Sequence, residues 1–241
     1  MTVAILSQVV AVVFISILLA PSLPAVIPNH PKEASATTVL FADNYTNAGW
    51  HQVGSEITVN SLFFPGIVKF NNEAGGGGVD DERVVKKLPA PLPENWTANF
   101  DYKFSASSLV RSWIFVLSST SADPATQDAS HIIMVEHGFN ANQLMIDRSW
   151  TGPNSTSSAG IPISLNTQYY VKLEKTPTQL ILSVFSDKSR THQIAGSPVS
   201  LTISPTDYNN NLNFIQHDGC TPCGPGRTLT AQIDNTIIFV P

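Results

Sequence analysis

The sequence predicts an all-β chain, built as two antiparallel sheets packed face to face in a sandwich. Three observations predict it. Short runs of alternating apolar and polar residues recur from about residue 37 onward, the period of half-buried strands. Turn-forming Gly, Pro, Ser, Thr and Asn separate these runs, while charged residues make up only 13% of the 241 residues. No segment after residue 25 carries a helical period. A chain of this length buries roughly 70% of its unfolded surface, so it can build a core without metals or many disulfides.

The first element is a targeting segment. Val3 to Ala20 is apolar and uncharged, and Pro21-Ser22-Leu23-Pro24-Ala25 breaks it. Residues 1–25 therefore read as a signal peptide, with cleavage after Ala25, or as an uncleaved N-terminal membrane anchor, since the run approaches bilayer-spanning length and Met1-Thr2 lacks the usual basic residues. Residues 26–36 read as a linker and 37–241 as the sandwich domain. Either reading places the domain outside the cell or at its surface, with membrane contact only through the N-terminal segment.

Within the domain, Phe100, Tyr102 and Phe104 share one face of a strand, and Asn99, Asp101 and Lys103 share the other. Trp113 to Leu117 is apolar on both faces and reads as a central strand. His131 to Val135 and Gln143 to Asp147 read as neighbours joined by a turn at Gly138 to Asn142. Tyr169 to Lys175 and Gln179 to Phe185 read as a hairpin around Thr176-Pro177-Thr178. Leu212 to Gln216, Leu229 to Ile233 and Thr236 to Val240 complete the set. Glu73 to Glu82 is Gly-rich and then acidic. It reads as a surface loop, because no Gly-Lys-Ser/Thr follows and the charge has the wrong sign for phosphate.

Charge and motifs exclude several function classes. A net charge of -5, with Lys86-Lys87 as the longest basic run, argues against nucleic acid. Neither a Gly-x-Ser-x-Gly elbow nor a His-Glu-x-x-His helix is present. Glycoside hydrolysis needs two carboxylates at a set separation. Asp80 and Glu82 share a strand-like spacing but fall in the Gly-rich loop, and the neighbours Glu136 and His137 point to opposite faces of a strand. The two cysteines, Cys220 and Cys223, lie in a Gly/Pro loop of an exported chain, so they are expected to form a disulfide with each other. A zinc site would need two further ligands, and only His217 is near. Asn44-Tyr-Thr, Asn95-Trp-Thr and Asn154-Ser-Thr match the N-glycosylation pattern.

Sugar recognition uses exposed aromatic rings and polar side chains that set orientation. Trp150 lies in the polar stretch Arg148-Ser-Trp-Thr-Gly-Pro-Asn154, where burial is hard to arrange. It is the expected stacking platform, with Arg148, His137 and His217 as polar contacts. Trp50, Trp96 and Trp113 sit among apolar neighbours and are expected in the core.

The ordered set Phe41-Ala-Asp-Asn-Tyr-Thr, Gly49-Trp50, Trp96 to Phe104, Tyr169-Tyr-Val-Lys-Leu-Glu, Leu182 to Asp187 and Ile233-Asp234-Asn235-Thr-Ile-Ile resembles the concanavalin A-like lectin/glucanase superfamily. The likeness is to laminin-G-like jelly-roll modules of secreted microbial proteins, over roughly Val39 to Phe239. The resemblance implies two antiparallel sheets of about six strands, one of them concave. It also implies glycan binding, adhesion to a cell-envelope component or polysaccharide cleavage. The Glu-x-Asp-x-x-Glu motif of its catalytic branch is absent. A structural calcium that ties the first and last strands in this superfamily would fall on Asp43 and Asp234; the alternative for each is a turn-capping Asp. The expected function is an extracellular, non-catalytic carbohydrate-binding or adhesive module. A polysaccharide hydrolase or lyase on the same fold, or a structural surface protein without a small ligand, stays open.

Overall fold

The computed structural model describes residues 37–46, 49–61, 64–74, 82–108, 111–138, 141–148, 156–208, 211–219 and 228–241. The expectations for residues 1–36, for Trp150, for Cys220 and Cys223, and for Asn154 lie outside the described residues. Among those described, no helix is long and apolar enough to cross a membrane.

Among the described residues, fifteen strands follow in chain order: β1 (Thr38–Asp43), β2 (His51–Val53), β3 (Ile57–Ser61), β4 (Phe64–Ala74), β5 (Arg83–Lys87), β6 (Trp96–Ser107), β7 (Ser112–Ser118), β8 (Ile132–His137), β9 (Gln143–Asp147), β10 (Ile161–Pro162), β11 (Tyr169–Lys175), β12 (Gln179–Phe185), β13 (Val199–Thr202), β14 (Phe214–Gly219) and β15 (Thr228–Val240). One 3₁₀ turn, Pro124–Thr126, is capped by the Asp123 side chain. The first sheet has eight strands in the order β13-β12-β11-β6-β15-β4-β3, with β1 also along β15. The second has seven, β10-β9-β8-β7-β14-β5-β2. All pairings between these strands are antiparallel. The sandwich predicted from the sequence is present, with more strands per sheet than the resemblance implied.

The Trp113 to Leu117 run lies in β7, the middle strand of the second sheet, as residues apolar on both faces require. Phe100, Tyr102 and Phe104 all point inward, and Phe100 stacks on Phe115 of the opposite sheet with ring centroids 4.7 Å apart. The expected hairpin β11-β12 forms, with Leu173 opposite Leu182. Two expected C-terminal strands prove to be one. β15 pairs with β6 on one side through a bulge between Asp234 and Ile237; on the other it meets β4 first and then β1. Asn235 adopts a positive φ of 52°, and the irregularity between Asp234 and Ile237 makes a bulge within one continuous strand.

Part of the second sheet's outer face is apolar too. Trp113, Val116, Ile132 and Met134 form a separate buried cluster there, and Ala125 of the 119–131 segment packs on it. Gln216 holds the segment in place, its amide nitrogen donating to Ser118 Oγ at 2.7 Å and to the Thr120 and Ala122 carbonyls.

Candidate functional site

The sequence predicts polar surface contacts at His137 and His217, and the structure corrects this. Both are 0% exposed and lie between the sheets. Tyr102 Oη of β6 is 2.7 Å from His137 Nδ1 of β8, and Phe104 packs edge-on against the same imidazole. His217 Nδ1 lies 2.7 Å from the Ile114 carbonyl, which can only accept, so Nδ1 carries the proton. Nε2 then accepts from the Tyr45 hydroxyl at 3.0 Å, and Tyr45 accepts from Thr236 at 2.5 Å. This chain of hydrogen bonds crosses from β14 to β15 and joins the sheets. Burial pushes both imidazoles down to about 4 and holds the Tyr45 phenol well above its usual range. Neither histidine is placed to touch a ligand.

Asp43 and Asp234 are the calcium ligands that the resemblance implies. Asp43 Oδ1 accepts from the Tyr45 backbone N–H at 2.6 Å. Its Oδ2 accepts from Trp50 Nε1 at 3.1 Å and from Lys86 Nζ at 2.6 Å. Both Asp43 oxygens are thus already engaged, Oδ2 by the Lys86 ammonium, and that pairing disfavours a calcium ion there. Asp43 caps the turn after β1 and pins Trp50. Asp234 lies opposite Asp101 on the neighbouring strand, and its Oδ1 accepts from the Asn235 N–H. Burial, with the Asp101 charge in addition, raises its carboxyl above the usual range. Among the described residues, no group of three or more His, Cys, Asp or Glu could hold a metal ion.

Arg148 is the remaining sugar contact that the sequence predicts. Its side chain is 12% exposed and already engaged: Nη2 donates to Asp207 at 2.7 Å and Nε donates to Tyr208 Oη at 2.5 Å. The chain on either side of 149–155 is also tied together. Arg148 N donates to the Thr156 carbonyl, Ser158 N donates to the Ile146 carbonyl, and Ser157 Oγ donates to Asp147. Arg148 is therefore spent on Asp207 and Tyr208, where the sequence predicts a side chain open to sugar. Of the glycosylation sites, Asn44 is exposed and Asn95 half-buried.

Local sequence reading missed the carboxylates that do converge. Glu136 and Asp147 sit on the outer face of the second sheet, because Glu136 pairs with Met145 and Asp147 with Met134. Arg111 bridges them, Nε to Glu136 and Nη2 to Asp147 at 2.7 Å. Burial pushes the Glu136 carboxyl up to about 8 against the pull of Arg111, and nearby Asp147 adds to the rise. Retaining glycosidases hold their two carboxyls about 5–5.5 Å apart and inverting ones about 6.5–9.5 Å. Here both carboxylates are spent on one guanidinium, that of Arg111. The group reads as a buried charge cluster that ties Arg111, the residue before β7, to β8 and β9.

No protein-family model matches the chain, and no curated protein matches it. Solved structures do. Lectin II from Ulex europaeus superposes with a TM-score of 0.53 at 10% identity, covering 85% of this chain and 97% of that one. Arcelin-5, a lectin-like defense protein from Phaseolus vulgaris, gives 0.52 at 12% identity, covering 84% and 97%. The exoplasmic/lumenal domain of VIP36 in its Ca2+/Man3GlcNAc-bound form gives 0.53 at 10% identity, covering 83% and 87%. At such identities the likeness concerns the fold: the chain has the concanavalin A-like lectin fold expected from its sequence.

Proposed function

We propose that this chain is an extracellular, non-catalytic carbohydrate-binding or adhesive module. In this reading its N-terminal segment directs export and its partner is a glycan or a cell-envelope component. The segment 149–155 carries the sugar-contacting Trp150. The observation that supports the reading is the anchoring of that segment: Arg148, locked by Asp207 and Tyr208, and the Arg148–Thr156 hydrogen bond fix its two ends on the sheet. A binding loop fixed at its base loses less conformational freedom when it meets ligand. The lectin fold raises the weight of this reading without establishing it. Sugar-binding neighbours such as the mannose-glycan-bound VIP36 domain point the same way.

The test is a glycan array probed with the full exported chain, followed by calorimetry on the best hit. The expected affinity is modest, with Kd about 1 mM to 1 μM. If no glycan binds at millimolar concentration, the module is a structural surface protein.

A further inference from the structure

A cavity of about 330 Å3 opens at the edge of the sandwich where β2 of one sheet faces β3 of the other. Trp50, Val59 and Val84 give it apolar walls, and Thr46, Gln52 and Asn60 give it a polar rim. Among the described residues, no lining side chain is ionisable, and the Lys86 ammonium, 5.6 Å from the Trp50 ring centre, is paired with Asp43, so the chemistry suits a neutral ligand. The size falls at the low end of the range for small-molecule sites, about 300–1,000 Å3, which suits one or two rings and not a long polymer.

The lining is preorganised. Trp50 is half-buried, and Asp43 takes its indole N–H. Tyr45 and His217 pack against it, each with ring centroids 5.3 Å away. A ring held this way can act as a stacking wall without losing rotamer freedom on binding. The polar side chains are each half-committed. Gln52 donates its amide to the Gly54 carbonyl at 3.0 Å, which orients the side chain and leaves Oε1 to accept. Asn60 Oδ1 accepts from the Gly66 N–H at 3.0 Å, which leaves Nδ2 to donate. Thr46 donates to Asn44 at 2.6 Å and keeps its lone pairs. An aromatic wall beside fixed donors and acceptors matches a molecule whose faces are C–H and whose edges are hydroxyls, each able to donate and accept. A cavity of about 280 Å3 beside β1 and β11 lacks this arrangement, because its Trp96 is only 3% exposed and its Lys175 is spent on the Glu94 carbonyl.

We infer that the cavity between β2 and β3 is a second sugar site, one that takes a single neutral pyranose or the end of a glycan chain. Trp50 is its stacking wall, and Gln52 and Asn60 are its hydroxyl partners. The inference rests on the carbohydrate-binding reading but not on Trp150.

The experiment follows the tryptophan indole N–H signals of the full 15N-labelled chain. Methyl α-mannoside, methyl β-galactoside, methyl β-glucoside and N-acetylglucosamine are each added to about 50 mM, above the weakest affinity expected. Trp50→Phe assigns the Trp50 signal. For at least one sugar, that signal should move and saturate. Asn60→Asp keeps the acceptor for Gly66 but removes the donor, and Gln52→Ala removes the acceptor. Both side chains are exposed, so both variants should keep the wild-type spectrum. Each should raise Kd about three- to tenfold, the effect of one hydrogen bond, while Trp150→Ala should leave the Trp50 response intact. If sugars bind and none of them moves the Trp50 signal, the cavity site is overturned and the module reading stands. The cavity site falls equally if Trp150→Ala abolishes the Trp50 response, or if neither Asn60→Asp nor Gln52→Ala weakens it. Silence from every sugar at both tryptophans overturns both.

Discussion

Tyr102 and His137 stitch the two sheets together: the phenol oxygen of one lies 2.7 Å from Nδ1 of the other, and both residues are wholly buried. Tyr45 and His217 repeat the arrangement at 3.0 Å. In an otherwise apolar interlayer, each imidazole is kept neutral and given a specific partner. Such pairs fix how one sheet sits over the other more tightly than interchangeable apolar contacts can. Tyr102→Phe leaves the imidazole acceptor unpaired, so it should destabilise by about 1–3 kcal/mol. Urea unfolding at neutral pH checks this, and a variant as stable as the wild type would refute the role.

The same burial makes stability depend on pH in two opposing ways. His137 and His217 titrate near 4 when folded and near 6.5 when unfolded. Between those values the unfolded chain binds more protons, so stability is complete above about pH 6.5 and falls as pH drops toward 4, by up to about 3 kcal/mol per histidine. Glu136 is shifted upward, to about 8. Its contribution is complete below its unfolded pKa, about 4.3, and is lost as pH rises through 8. With two histidines against one glutamate, these three groups together place the stability maximum near pH 6.5. Glu136→Gln should remove the decline between about pH 6.5 and 8 and steepen the rise between about pH 4.3 and 6.5, where Glu136 opposes the two histidines. Urea midpoints across pH 4 to 9 test both limbs.

Much of the fold was legible because the β period is local. Phe100, Tyr102 and Phe104 announce their face by spacing alone, and the two-sided apolar run of β7 announces its central place. The β3-β4 pair was not legible, since Phe64-Pro65-Gly66 looks like a turn and in fact opens β4. The site was harder for a physical reason. Asp43 meets Lys86 across 43 positions, and Tyr45 meets His217 across 172. Polar partners that distant leave no spacing signal. Glu136 and Asp147 could have been found. Once β8 and β9 are paired through their turn, the register alone puts both carboxylates on one face.

Asp43 should respond to charge and not to metal. Asp43→Asn keeps an acceptor for the Tyr45 N–H but removes the counter-charge of Lys86, so it should destabilise by about 1.5–3 kcal/mol. Wild-type melts in calcium and in chelator should coincide. A calcium-dependent rise in Tm that Asp43→Asn abolishes would show that Lys86 gives way to the ion.

Cys220 and Cys223 are expected to be bonded to each other. So short a loop restricts the unfolded chain little, and its loss should destabilise by about 1–2 kcal/mol, less than the roughly 3 kcal/mol of a longer loop. Intact mass after alkylation without reductant reads the outcome directly, and two labelled thiols would exclude the bond.

Trp150 and Asp207 should affect sugar binding as one unit. If the 149–155 segment carries the platform, Trp150→Ala removes the stacking surface and should cost more than about 2 kcal/mol, a rise in Kd of about thirtyfold. Asp207 does not need to touch sugar. It pairs with Arg148 Nη2, which also rests on Tyr208, so Asp207→Ala loosens the base of the segment. That change should raise Kd about three- to tenfold, with stability falling by no more than about 1 kcal/mol, because the ion pair is partly solvated. The decisive measurement is the double variant. Once the indole is gone, holding its segment in place gains nothing, so Trp150→Ala combined with Asp207→Ala should bind no more weakly than Trp150→Ala alone. Additive losses in calorimetry would mean that Asp207 and Arg148 act on the sugar through a route of their own. A Trp150→Ala variant that binds like the wild type would move the stacking role from the rim to Trp50.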